Sequence, residues 1–135
     1  MEDCINHLHT LYAVFLKVEK EGTIHIGRLG RFHFQEGTYI YVGSAKRNMT
    51  SRISRHLKVD KKKRWHFDYL RPLGKVIKII TYEATIGECA LAEKLRKETA
   101  GMYPVKGFGS SDCRCFSHLI YCQSPPDFQM NFPGA

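Results

Sequence analysis

A small α/β domain, built as a mainly antiparallel sheet flanked by helices, is predicted by three features of the sequence. Apolar runs of strand length recur in the first third of the chain, joined by glycine-bearing turns too short for crossover connections. Two later segments carry apolar residues at helical spacing. The 135 residues, without internal repeat or linker, fit one domain with a modest core.

Leu11 to Val18 (LYAVFLKV) is the first candidate strand, rich in β-branched and aromatic residues. Glu19–Gly22 reads as a turn, and Thr23–Ile26 with Arg31–Phe34 as a short hairpin across Gly27–Gly30. Gly37 opens the next strand, Thr38–Val42, which ends at Gly43; an antiparallel meander is the simplest connection for such turns. The spacing then changes. Met49, Ile53 and Leu57 recur at intervals of four, which predicts a helix with Asn48 or Thr50 as N-cap. A basic loop, Lys58–Arg64, leads to a short helical turn at Trp65–Leu70 that Pro72 and Gly74 end. Val76–Tyr82 is a further strand and Glu88–Lys97 a second helix. From about residue 101 the tail is rich in Gly, Ser, Cys and Pro, and its last dozen residues are expected to be loosely held.

The apolar fraction of 43% is ordinary, but a formal charge of +8 on so short a chain is not. It favours a polyanionic partner, nucleic acid before a membrane surface. No apolar run approaches the ~20 residues of a membrane span, and the N-terminus lacks the apolar stretch of a signal peptide, so a cytoplasmic location is expected. Five cysteines, an odd number unevenly spread, read better as reduced thiols or metal ligands than as a disulfide frame.

The charge is concentrated. Lys46, Arg47, Arg55, Lys61, Lys62, Lys63 and Arg64 lie in under twenty residues and are candidate phosphate contacts. Trp65 and His66 either stack on a base or belong to the core. Alternation sends Tyr39 and Tyr41 to one face of their strand and Ile40 and Val42 to the other. On the first helix Arg52 and His56 sit four apart along the edge of the apolar stripe. A guanidinium there can grip two oxygens of a phosphodiester transition state, with His56 orienting water or phosphate. Glu88 shares a helix face with Leu91, Ala92 and Leu95, so a part-buried carboxylate needs a partner, and a magnesium ion is a good one. The alternative is a capping box, Thr85-x-x-Glu88; Glu93, on the polar face, is an outside substitute.

The segment Tyr41-Val42-Gly43-Ser44-Ala45-Lys46, followed by Arg52-Ile53-Ser54-Arg55-His56-Leu57, resembles the second motif and first helix of the GIY-YIG nuclease family. With Tyr12 before them and Glu88 after, the likeness covers about residues 10–97, and the tail around Gly107-Phe108-Gly109-Ser110-Ser111-Asp112-Cys113-Arg114-Cys115 and Ser117-His118-Leu119 resembles the Uri-type branch. The first motif is Thr10-Leu11-Tyr12, so only its tyrosine carries over, and a hairpin separates the motif tyrosines. The resemblance implies DNA phosphodiester hydrolysis with Mg2+ or Mn2+. It implies that Tyr12 and Tyr41 position or deprotonate the attacking water and that Glu88 holds the metal. A base role for a phenol, with an ordinary pKa of about 10, needs positive charge or metal nearby. A non-catalytic nucleic-acid-binding module and an RNA-directed nuclease are the alternatives.

Cys113-x-Cys115-x-x-His118, with Cys89 or Cys122 nearby in the fold, offers sulfur and nitrogen ligands, but the spacing is not a standard zinc motif and predicts less than stoichiometric zinc. Asp112, Ser117 and His118 equally offer side chains to the active site from the tail.

Overall fold

The computed structural model describes residues 2–83, 85–110 and 115–123. Its strands are β1 (Glu2–Cys4), β2 (Leu11–Val18), β3 (Gly22–Ile26), β4 (Gly30–Phe34), β5 (Gly37–Ser44), β6 (Lys75–Tyr82) and β7 (Leu119–Cys122). Three α-helices, α1 (Met49–Leu57), α2 (His66–Leu70) and α3 (Gly87–Glu98), complete the mixed α/β architecture. A five-stranded sheet runs β1-β6-β2-β5-β7, antiparallel except for the β1–β6 pair, and β3 with β4 forms a separate two-stranded sheet.

The meander expected of the first strands is therefore corrected. β2 pairs directly with β5 over its whole length, from Leu11 opposite Ser44 to Val18 opposite Gly37. The hairpin leaves the sheet and returns, its Ile26 and Phe34 buried beside Tyr39. The apolar runs explain the preference: β2 and β5 are buried on both faces, which suits central strands, whereas β3 and β4 alternate and bury one face.

Tyr12, Val14 and Leu16 of β2 join Tyr39 and Tyr41 of β5 on one face, covered by α1, α2 and the hairpin. Leu11, Ala13 and Phe15 join Ile40 and Val42 on the other, covered by Leu91, Ala92 and Leu95 of α3. Edge strands β1 and β7 were not expected from the sequence. Among the described residues the tail supplies β7, which adds to the edge of β5. The last dozen residues of the chain lie outside the described residues. Asn48 precedes α1 in a left-handed conformation (φ 56°), and its side chain makes no capping hydrogen bond. Among the described residues, no helix is long and apolar enough to cross a membrane.

Candidate active site

Where β2, β5 and α1 meet, two tyrosines converge on one histidine. The Tyr12 hydroxyl and His56 Nε2 are 2.7 Å apart in the interior. The Tyr41 ring meets the His56 ring edge-on, with centroids 5.6 Å apart, and stacks on Phe67 of α2. Tyr12 reaches this position because Gly43 stands opposite it across the β2–β5 ladder. A Cβ at residue 43 would fall 2.5 Å from Tyr12 Cζ, closer than side-chain atoms tolerate, so the glycine ending the Tyr-Val-Gly segment makes room for the phenol.

Burial fixes the charge state of all three groups. It pushes the Tyr12 phenol far above its ordinary value, against the opposing pull of Arg52, and does the same to Tyr41. Neither phenol is primed as a base by the protein's own charges. Burial, helped by the positive charge of Lys61, lowers His56 to about 3, so its imidazole is neutral at physiological pH. His56 Nδ1 has no hydrogen-bond partner among the described residues. The helix is rotated from the expected stripe: Met49, Ile53 and His56 form the buried face, Leu57 is only partly buried, and Arg52 alone keeps the edge. His56 is thus an interior residue rather than a half-exposed one.

Arg52 bridges toward the second half of the site. One of its guanidinium nitrogens donates to the Ser44 carbonyl at 2.9 Å. The Ser44 hydroxyl in turn donates to Glu88 Oε1. On the other side of that carboxylate, His118 Nδ1 lies 3.3 Å from Oε2. Glu88 stands in the first turn of α3, whose N-cap is Ile86 without a side-chain cap, so its oxygens reach across to β5 and the tail instead of closing a capping box. Its side chain is one-third exposed, open to an incoming cation. Glu93 offers no substitute: both its oxygens are held by Arg96, and one accepts from Tyr103. Those hydrogen bonds, Arg96 first, lower its carboxyl to about 2.

The basic residues divide into two groups. Lys46, Arg47, Lys62, Lys63 and Arg64 are exposed. Arg55 and Lys61 are turned inward to Asp68, a buried acid that sequence reasoning missed. Arg55 donates to both Asp68 oxygens at 2.9 and 2.8 Å, and Lys61 Nζ lies 3.2 Å from Oδ1. Backbone N–H groups of Arg64 and Trp65 donate to Oδ2. Burial alone would raise the Asp68 carboxyl; the Trp65 and Arg64 amides, with Arg55 and Lys61, outweigh it and hold the carboxyl below its ordinary value. Its signal was an acid three residues after Trp65, where a short helix starts. The Arg52 and Arg55 guanidiniums lie 4.5 and 4.4 Å from the Trp65 ring centre, so that ring is already stacked by cations. His66 Nδ1 accepts from the Gly109 amide.

A cleft of about 760 Å³ opens on the outer side of α1, lined by Ser51, Ser54, Lys58, Lys62 and Lys63 among others, and by none of the five candidate catalytic residues. Ser117 is buried and bonded to Leu119, so of the tail side chains considered it is His118 that reaches the site; Asp112 and Cys113 lie outside the described residues. Ser44 as the link between Arg52 and Glu88 was also missed, since nothing in its local sequence marks it.

A model of the family described as a domain of unknown function, DUF123, matches residues 11–133. No curated protein and no solved structure matches the chain.

Proposed function

We propose that this chain, which belongs to the family described as a domain of unknown function, DUF123, is a metal-dependent endonuclease of GIY-YIG type that hydrolyses DNA phosphodiester bonds. The observation that carries the reading is convergence. Tyr12, Tyr41, Arg52, His56 and Glu88 come from four separate elements, yet the Tyr12–His56 hydrogen bond and the Arg52–Ser44–Glu88 chain join them around one region.

The donor set fits magnesium or manganese. Such ions take one or two carboxylates and complete their shell with water and phosphate oxygens, and Glu88 is a part-exposed carboxylate beside a serine hydroxyl. When bound at Glu88, the ion supplies Lewis acidity and lowers the pKa of a coordinated water. The chain's own groups then have distinct tasks. With neutral His56 accepting from the Tyr12 hydroxyl and Arg52 donating to it, the phenolic oxygen keeps one lone pair for a hydrogen bond from the attacking water. A buried neutral phenol orients that water rather than deprotonating it, and Tyr41 walls the His56 ring in place. Arg52 donates to the Ser44 carbonyl and also interacts with the Tyr12 hydroxyl, and its other N–H groups can meet phosphoryl oxygens as negative charge builds there. Exposed Lys62 and Lys63 in the outer cleft, with Lys46 and Arg47 ahead of α1, hold the flanking backbone.

One observation favours a second reading, a nucleic-acid-binding module without catalysis: both phenols are nearly inaccessible to solvent, at 1% and 7% exposure. Incubation of purified protein with single- and double-stranded DNA and RNA, in magnesium or in chelator, separates the readings. Magnesium-dependent internal cleavage of DNA is expected. Binding without cleavage of any substrate would support the module, and cleavage confined to RNA would reassign the substrate.

A further inference from the structure

The tail brings two further ligand-type side chains against the start of α3. We propose that Cys89, Cys115 and His118 form a thiolate–imidazole site for a zinc ion, separate from the oxygen-ligand site at Glu88. Cys89 lies in the first turn of α3, while Cys115 and His118 belong to the segment entering β7. One ligand atom from each of the three lies within 4.8 Å of the others. The proposal departs from the expectation of less than stoichiometric zinc, which rested on the spacing of the tail alone; Cys89, one of the two partners considered, joins the set from twenty-six positions away.

The dimensions suit a tetrahedral ion. With Zn–S near 2.3 Å and Zn–N near 2.0 Å, an S···N edge measures about 3.5 Å and an S···S edge about 3.8 Å. Cys89 Sγ and His118 Nε2 are 3.6 Å apart. One edge of the tetrahedron is therefore already set, and Cys115 has a short adjustment to make.

A second observation comes from the other side of the ring. A histidine that binds metal through one nitrogen characteristically gives its other N–H to a carboxylate or carbonyl, which fixes its tautomer. His118 turns Nε2 toward the Cys89 sulfur and Nδ1 toward Glu88 Oε2, at 3.3 Å. The ring is presented by a fixed backbone: the His118 amide donates to the Phe108 carbonyl at 2.8 Å, and its own carbonyl accepts from the Val42 amide at 2.9 Å. His118 is 2% exposed and both cysteines are partly buried, so the histidine forms the floor of the site.

Sulfur decides the metal class. Two soft thiolates and an imidazole select zinc over magnesium, just as the carboxylate and hydroxyl oxygens near Glu88 select the reverse. Binding releases the two thiol protons to solvent, leaving two thiolates and a neutral imidazole on the dication as the three ligands that the described residues supply. The ion ties the tail to the first turn of α3, and through His118 it steadies the Glu88 carboxylate. The ligand set stands whether or not the protein cleaves DNA.

The test is metal content, measured on full-length protein without a histidine tag, purified under reducing conditions. About one zinc per chain is expected by elemental analysis. Cobalt exchanged into the site should show intense thiolate-to-metal charge-transfer absorption, lost in Cys89→Ser and in Cys115→Ser and kept in Cys4→Ser. Should either serine variant fail to fold by circular dichroism, titration of the wild-type chain with an organomercurial supplies the same answer: zinc release must track thiol modification. No zinc and no charge-transfer band in the wild type would overturn the proposal. So would zinc retained in full by folded Cys89→Ser and Cys115→Ser, or an oxidised Cys89–Cys115 pair that persists under reducing conditions.

Discussion

The Tyr12 hydroxyl and His56 Nε2 sit 2.7 Å apart, forty-four positions apart in the chain, with both residues almost wholly removed from solvent. Each is the other's polar partner, so the two cannot be altered independently without cost. Tyr12→Phe leaves a buried imidazole nitrogen unpaired and should destabilise the fold by about 1–3 kcal/mol. Adding His56→Phe removes the orphan, so the double variant should recover part of that loss in urea denaturation while remaining inactive. A double variant whose loss equals the sum of the two singles would deny the coupling.

Acid should weaken the protein in two stages. His56 is held down at about 3 when folded against about 6.5 when unfolded, so the unfolded chain takes up a proton first. The stability tied to its neutral form is intact above pH ~6.5 and declines as pH falls toward 3, with a slope of up to ~1.4 kcal/mol per pH unit. Asp68, held below its ordinary value, adds a second loss only as pH falls below about 4. Denaturation midpoints from pH 8 to 4 should show the first decline, and His56→Gln should flatten it by up to one proton.

Asp68 anchors two cations and two backbone amides, which makes it the most sensitive charged residue in the basic segment. Asp68→Ala leaves buried Lys61 and part-buried Arg55 uncompensated and should cost about 3–5 kcal/mol. A loss below 1 kcal/mol by chemical denaturation would mean that the two cations simply turn outward to water.

Glu88→Gln keeps the shape of the side chain and an oxygen for the Ser44 hydroxyl, but removes the charge that would hold a magnesium ion. Cleavage should be abolished and DNA affinity kept. Wild-type single-turnover rates in this variant would show that the carboxylate takes no part in the chemistry.

Arg52→Lys conserves net charge but loses the planar fork and its seat against Trp65. We expect roughly a 100-fold slower cleavage, about 3 kcal/mol of transition-state stabilisation, with affinity nearly intact. Lys62→Ala, in the outer cleft, should instead weaken binding modestly and reduce its salt dependence by about one counterion. Normal cutting by Arg52→Lys beside a severely impaired Lys62→Ala would move the catalytic centre off α1.

Local pattern carried most of the architecture. The long strands β2, β5 and β6 and the helices α1 and α3 were legible because each holds an apolar run or a helical stripe of its own. Three-residue β1 and four-residue β7 were not, since so short a strand exists only by adding to an edge already formed. The same limit applies to the site. Tyr12, Tyr41, Arg52, His56 and Glu88 could be singled out along the chain, but not the full burial of His56, which depends on how α1 rolls onto the sheet. The turning of Arg55 and Lys61 toward Asp68 was hidden for a related reason: a run of cations looks uniformly solvated until tertiary contact picks out which of them point inward.

The path of the tail also has a consequence for the order of events on the ribosome. β7 pairs with β5 from some eighty positions downstream, and His118 stands immediately before it. The basic helix α1 is synthesised long before residue 118, so the His118 neighbour of Glu88 emerges only after that helix is complete. Contacts this remote in sequence form late and slowly. A nascent chain would therefore carry its exposed basic residues before its Glu88 region is finished. For the nuclease proposed above, attraction would precede the capacity to cut, and the arrival of β7 would act as the timing device between them.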